Sequence, residues 1–284
     1  MPRPAIDDSV PLVRLPDIQF GEAPGRPLLL NAVFPWDELH EPWPAVIFVD
    51  LAGWYASSRE NPWFSPYLAT HGFFAVTIDV RVSSEATFPA QIHDVKAAIR
   101  WLRANATRYG IEPGHIGIWG TSSGAHLAAL AGVTGDQPEL EGNSGSPGYS
   151  SRVQAVAWCS GAADFLRPGG ELRHHVDGPV TRLFGGTVTD KEALMRLGSP
   201  ITHVSSAAPP FLIVHGTADE TTPFEQAEML HAALRSAGVA AELIPLEGRT
   251  HSWTAQIDPP DDAWRYWELA PMALPFFTKH LKVR

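Results

Sequence analysis

Cysteine is almost missing from this chain of 284 residues, which contains only Cys159. No intrachain disulfide can form and no thiolate metal site can be assembled, so neither a disulfide framework nor a metal centre is expected, and a reducing, cytoplasmic setting is the simpler expectation. Positive charge is also scarce. A formal net charge of −10 disfavours nucleic acid and anionic membrane surfaces, both of which need a basic face, and favours a small neutral or cationic partner. No apolar run is long enough to span a bilayer, the Met1–Asp8 stretch lacks the continuous apolar segment of a signal peptide, and no internal repeat is present. What is plentiful is core material. With 44% hydrophobic residues and ten tryptophans, the chain is read as one domain over 1–284.

Short runs rich in Val, Ile and Phe, bounded by Gly, Pro or Asp, predict buried strands at 45–51, 73–80, 116–119, 153–159, 211–215 and 241–246. Helices lie between them. Ile92, Val95, Ile99, Leu102 and Ala106 recur at intervals of three and four, predicting a helix over 90–109 that stops at Gly110. A second is expected after Thr222, with Thr222 as N-cap, Pro223 at the first helical position, Glu225 completing a capping box and Gly238 ending the element. This alternation implies a mostly parallel α/β sheet covered on both faces, with its site at the carboxyl ends of the strands. Two stretches break the rhythm. Residues 134–151 have loop composition and are either a flap or a solvated excursion, and 165–200 sit where lid-like insertions occur.

Chemistry concentrates at Gly120-Thr121-Ser122-Ser123-Gly124, a G-x-S-x-G pentapeptide between a strand-like run and the alanine-rich run 125–131. A serine on a sharp strand-to-helix turn is held exposed, and the flanking glycines remove Cβ atoms that would collide there. Its hydroxyl is a weak nucleophile unless a histidine accepts its proton, and that histidine needs a carboxylate to fix its tautomer. Asp219 follows the strand run at 211–215, and His251 follows the one at 241–246. The order Ser122, Asp219, His251 therefore nominates nucleophile, acid and base. His126 and His215 compete for the base, but their settings on the elbow helix and at a strand end favour structural hydrogen bonding. Asp79 and Asp164, also after strands, are read as loop-fixing.

Together with Asp79–Pro89, Asp94–Leu102, Gly120–Ala128 and Pro209–Asp219, these features make the chain resemble a serine esterase of the α/β-hydrolase superfamily, in the branch holding hormone-sensitive-lipase-like and feruloyl or carbohydrate esterase-like proteins. The resemblance covers about residues 28 to 281. It implies an α/β-hydrolase fold, no cofactor, a small-molecule ester as substrate, and the same three residues. In that branch a His-Gly-Gly-Gly-Trp loop supplies oxyanion amides, where this chain reads Asp50-Leu51-Ala52-Gly53-Trp54. The amides of Ser123, Ala52 and Gly53 remain available as donors. An ionised Asp50 would oppose a developing oxyanion, so its carboxyl is turned away, or neutral, or the reaction is not simple hydrolysis. Left-handed backbone at Leu51 or Ala52 would be costly without glycine. Ser252 and Trp253 after His251 crowd the leaving-group side. Trp54, Trp253 and Trp63 are candidate pocket-lining residues, or ordinary packing residues.

Four readings follow. The leading one is a carboxylic ester hydrolase working through an acyl-enzyme. The alternatives are a triad-bearing acyltransferase or cyclase in a biosynthetic pathway, a degenerate hydrolase-fold binding protein, and a peptidase of prolyl-oligopeptidase type, for whose large extra domain the chain has no room. A homodimer is a possible assembly.

Overall fold

The structure is a computed structural model describing residues 6–36, 42–60, 64–167, 169, 178–251 and 268–282. Its strands are β1 (Leu12–Ala23), β2 (Arg26–Pro35), β3 (Trp43–Ala52), β4 (Ala56–Ser58), β5 (Phe74–Ile78), β6 (Ile111–Thr121), β7 (Ala155–Cys159), β8 (Phe211–Gly216) and β9 (Ala241–Leu246). They form one sheet in the order β1-β2-β5-β3-β6-β7-β8-β9, with β4 paired to β3 beside that path. From β5 to β9 every pairing along the path is parallel, while β1, β2 and β5 pair antiparallel.

Side-chain alternation along β3 builds both layers of the core. Ala45, Ile47, Val49 and Leu51 join the cluster beneath α2 (Ala90–Ala104), α4 (Ser123–Val133) and α7 (Glu225–Ser236). Val46 and Phe48 face the other way, onto α1 (Phe64–Thr70) and α8 (Ala270–Leu281). A strand buried on both faces reads as a continuous apolar run, which is why this one is visible in the sequence.

The six expected strands are all present, β9 with the expected ends and the other five with shifted ones. The expected helix over 90–109 is divided. It breaks at Asn105, whose side-chain amide donates to the Trp101 carbonyl, before the short α3 (Ala106–Tyr109) and a left-handed Gly110. The expected capping box does not form. Helix α7 starts at Glu225 without a side-chain cap, because Thr222 is drawn into another network: its N–H donates to Asp219 and its carbonyl faces His215.

The 134–151 segment is tied down at several points. Buried Lys96 donates to the Thr134 carbonyl and to Glu141, and buried Arg100 donates to Glu141 and to the Ser144 carbonyl. The Ser144 hydroxyl in turn donates to the Glu22 carbonyl on β1. Within 165–200, α5 (Pro179–Phe184) and α6 (Val188–Gly198) pack into the first cluster through Leu183, Phe184 and Met195.

Candidate active site

Ser122 sits between β6 and α4 with φ 52° and ψ −123°, a left-handed conformation that a non-glycine residue adopts only when its surroundings impose it. Those surroundings are close. A Cβ on Gly120 would collide with the Gly124 carbonyl, and one on Gly124 would collide with the Val49 carbonyl of β3. The Ser122 N–H donates to the Cys159 carbonyl at 2.8 Å, fixing the turn against β7. The two glycines of the pentapeptide are thus required by backbone contact between the elbow and its neighbouring strand.

The structure brings Ser122, His251 and Asp219 together from three separate strand ends. The Ser122 Oγ lies 2.9 Å from Nε2 of His251, and Nδ1 of His251 lies 2.8 Å from Oδ2 of Asp219. A carboxylate only accepts, so the proton on His251 resides on Nδ1 and Nε2 is free to accept from the serine. Asp219 is buried and takes two further donors on Oδ1, the N–H groups of Thr221 and Thr222 at 3.0 and 2.8 Å. His215 supplies a fourth. Its Nε2 is 3.0 Å from Oδ2 and 2.8 Å from the Thr222 carbonyl, an acceptor that requires the proton on Nε2. Burial alone would push the Asp219 pKa up, but the bonds from His215 and His251 outweigh it and hold the carboxyl below its ordinary value.

The candidate oxyanion donors lie on two neighbouring elements. Ser123 opens α4, where first-turn N–H groups have no intrahelical partner, while Ala52 ends β3 and Gly53 begins the turn that follows. Positive φ falls on Gly53 (52°) and Trp54 (58°), not on Leu51 or Ala52, so the one glycine retained in this loop stands where left-handed backbone is needed. Asp50 is half-buried opposite Ser58 of β4, on the sheet face of Phe48 and away from that of Leu51. Burial pushes its carboxyl up to about 6.

Of the two readings open for Trp54, pocket-lining or packing, the structure favours packing. It is 2% exposed, its indole N–H donates to Nδ1 of His126 at 3.1 Å, and its ring packs 5.7 Å from that of Phe165. The turn that carries it is closed by the Tyr55 N–H, which donates back to the Ala52 carbonyl. Trp63 and Trp253 lie outside the described residues. Asp79 binds Arg59 and the Leu29 N–H, and Asp164 binds Arg167 and the Leu166 N–H, each fixing its own loop. Gln226 escapes sequence reasoning altogether. Its buried amide accepts from Ala163 and Asp164 N–H and donates to the Arg167 carbonyl, bracing the loop after β7 from more than fifty residues away, with no local signal in the sequence. No helix among the described residues is long and apolar enough to cross a membrane.

A mostly parallel sheet with a strained serine after β6, an aspartate after β8 and a histidine after β9 is the α/β-hydrolase fold. Comparison with known proteins narrows this class. Residues 33–234 match the BD-FAE family, and the chain belongs to it. It is 40% identical to esterase LipQ of Mycobacterium tuberculosis over 69% of this chain and 47% of that protein. The chain therefore spans about half the length of that relative. Among solved structures, a truncated carbohydrate esterase from gut microbiota superposes with a TM-score of 0.81 at 28% identity, covering 96% of this chain and 98% of that one. An esterase of Thermogutta terrifontis superposes at 0.74 with 27% identity, covering 93% and 91%, and its structures include butyrate-bound and paraoxon-phosphorylated forms.

Proposed function

We propose that this protein hydrolyses carboxylic esters through an acyl-enzyme on Ser122. The observation that carries the reading is the unbroken line of hydrogen bonds from Ser122 through His251 to Asp219. In the first half-reaction the Ser122 oxygen attacks the ester carbonyl carbon while Nε2 of His251 takes its proton. Negative charge builds on the former carbonyl oxygen, where the Ser123, Ala52 and Gly53 amides serve as its donors, and Asp219 stabilises the imidazolium. The intermediate collapses by expelling the alkoxide, which receives the proton from His251. Water then attacks the acyl carbon with His251 again as base, the Ser122 oxygen leaves with that proton, and the carboxylic acid is released. Esterase LipQ and the Thermogutta enzyme support the reaction class, and the butyrate- and propionate-bound forms of the latter support a short acyl group. No step calls on a cofactor.

The test is initial rates on p-nitrophenyl acetate, butyrate and octanoate with wild type and Ser122→Ala side by side, in water enriched in oxygen-18. The expected result is turnover lost in the variant, with label in the released acid. Equal inertness of both proteins overturns the reading. Ser122-dependent turnover that leaves the label out of the acyl product assigns the enzyme to acyl transfer instead.

A further inference from the structure

His126 lies on α4 one turn beyond Ser122, with its N–H donating to the Ser122 carbonyl at 3.2 Å. It is completely buried, yet both ring nitrogens are engaged. Nδ1 faces the Trp54 indole N–H at 3.1 Å and Nε2 faces the Gly198 carbonyl at 2.7 Å. An indole nitrogen only donates and a carbonyl only accepts, so the ring is a neutral imidazole with its proton on Nε2. Burial, which pushes its pKa down to about 4, keeps it in that form at neutral pH.

The partner on Nδ1 gives this bond its meaning. Trp54 follows Gly53 directly, and the two hold successive positive φ values of 58° and 52°. Two positive φ values in a row suit the centre of the tight β3–β4 turn, which the Tyr55 N–H closes on the Ala52 carbonyl, but the second falls on a bulky side chain where glycine or asparagine is favoured. Trp54 is clamped at both ends. Its carbonyl accepts from the Ser83 N–H at 2.7 Å, and its indole is held by His126 and stacked edge-on against that ring. If the indole were released, the backbone at Trp54 would relax and carry the Ala52 and Gly53 amides with it.

We infer that His126 is a positioning residue that fixes the Ala52–Gly53 amides relative to Ser122 by holding Trp54, so that one helix carries both the serine and the anchor of the opposing loop. The inference rests on the reading of Ser122 as nucleophile and of these amides as oxyanion donors. Through Gly198 the same imidazole also meets the end of α6, which joins the 165–200 segment to this arrangement. A core needing only volume at this point would be served by an apolar ring, without the cost of burying three polar groups.

The experiment compares Trp54→Phe, His126→Asn, His126→Gln and His126→Leu. An asparagine amide occupies the position of Nδ1 and can still accept from Trp54, whereas glutamine reaches only toward Gly198 and leucine does neither. Readouts are kcat and KM on p-nitrophenyl butyrate, inhibition by a trifluoromethyl ketone, melting temperature, and the rate at which a fluorophosphonate labels Ser122. Labelling draws on the oxyanion donors without requiring ester turnover. Trp54→Phe, His126→Gln and His126→Leu are expected to lose about 10- to 100-fold in kcat, in labelling rate and in ketone affinity, as displaced rather than deleted oxyanion donors should. KM should stay within about threefold, and His126→Asn should recover most of the loss. Labelling rates within twofold of wild type in Trp54→Phe and His126→Leu overturn the inference. So does a loss in His126→Asn equal to that in His126→Leu, with both following melting temperature. If the wild type hydrolyses no ester, the proposed function falls, and the labelling rates still decide the role of His126.

Discussion

The hydroxyl of Ser123 donates to the carbonyl of Leu51 at 2.6 Å, stitching the first residue of the elbow helix to the strand end that leads into Ala52. Both partners are buried. The bond joins the two elements that carry the candidate oxyanion amides, and nothing in the pentapeptide pattern announces it.

Removing that hydroxyl should therefore matter more to chemistry than to folding. Ser123→Ala is expected to lower stability by about 1 kcal/mol, the net worth of one buried hydrogen bond. It is expected to lower kcat by about tenfold with KM nearly unchanged, because the amides are shifted rather than deleted. Paired denaturation curves and steady-state kinetics on p-nitrophenyl butyrate check both parts.

Asp219→Asn separates orientation from charge. The amide oxygen can still accept from Thr221 and Thr222, so the fold should survive. An amide nitrogen turned toward Nδ1 of His251 would favour the tautomer with its proton on Nε2, which cannot accept from Ser122. A fall in kcat of about 10,000-fold is expected, with KM little changed. A drop below tenfold would argue that Asp219 serves only to brace the 219–222 turn.

Asp50 gives a pH prediction with a definite sign. Its carboxyl titrates near 6 in the folded protein against an ordinary value of 3.8, so the folded state keeps a proton that the unfolded chain has already released. Stability is lost on this account as pH rises from about 4 to 6, and the penalty is constant above that range. Asp50→Asn removes it. The variant should be about 2 kcal/mol more stable than wild type at pH 8, and nearly equal to it at pH 3. Urea midpoints at the two pH values test this, and a parallel rise in kcat at pH 8 would show that the charge also opposes the oxyanion.

Glu141 neutralises two cations that water cannot reach. The Lys96 side chain is 0% exposed and that of Arg100 3%, and both form ion pairs with Glu141 at 2.7 and 2.6 Å. Glu141→Ala leaves both without their shared counter-charge and is expected to cost about 3 kcal/mol. Faster cleavage between 134 and 151 under limited proteolysis would locate the loosening.

Sequence and structure meet most closely where one residue type ends one buried strand. Ser122, Asp219 and His251 are each legible because glycine spacing or a strand boundary marks them locally. The edge of the sheet is harder to read. On β2, Leu28, Leu30 and Ala32 alternate inward, but Pro27 and Pro35 frame them as a loop, and Pro16 and Asp17 do the same to β1. Pro275 sits inside α8, where it forfeits a backbone bond to Pro271, and so disguises a helix that tertiary packing holds together through Phe276 and Phe277. Trp54 is ambiguous in the sequence for another reason. Its indole meets His126, seventy-two residues away in the chain, and no local pattern encodes that partner.

Four N–H groups converge on Asp219, from Thr221, Thr222, His215 and His251. A carboxylate offers about four lone-pair directions, and here all are taken. A proton arriving at this group would have to evict one of those donors, so the carboxylate is a sealed end to the line rather than a station along it. Every proton leaving Ser122 then has one place to rest, the imidazole of His251, and one way out, back toward whatever oxygen stands beside the serine.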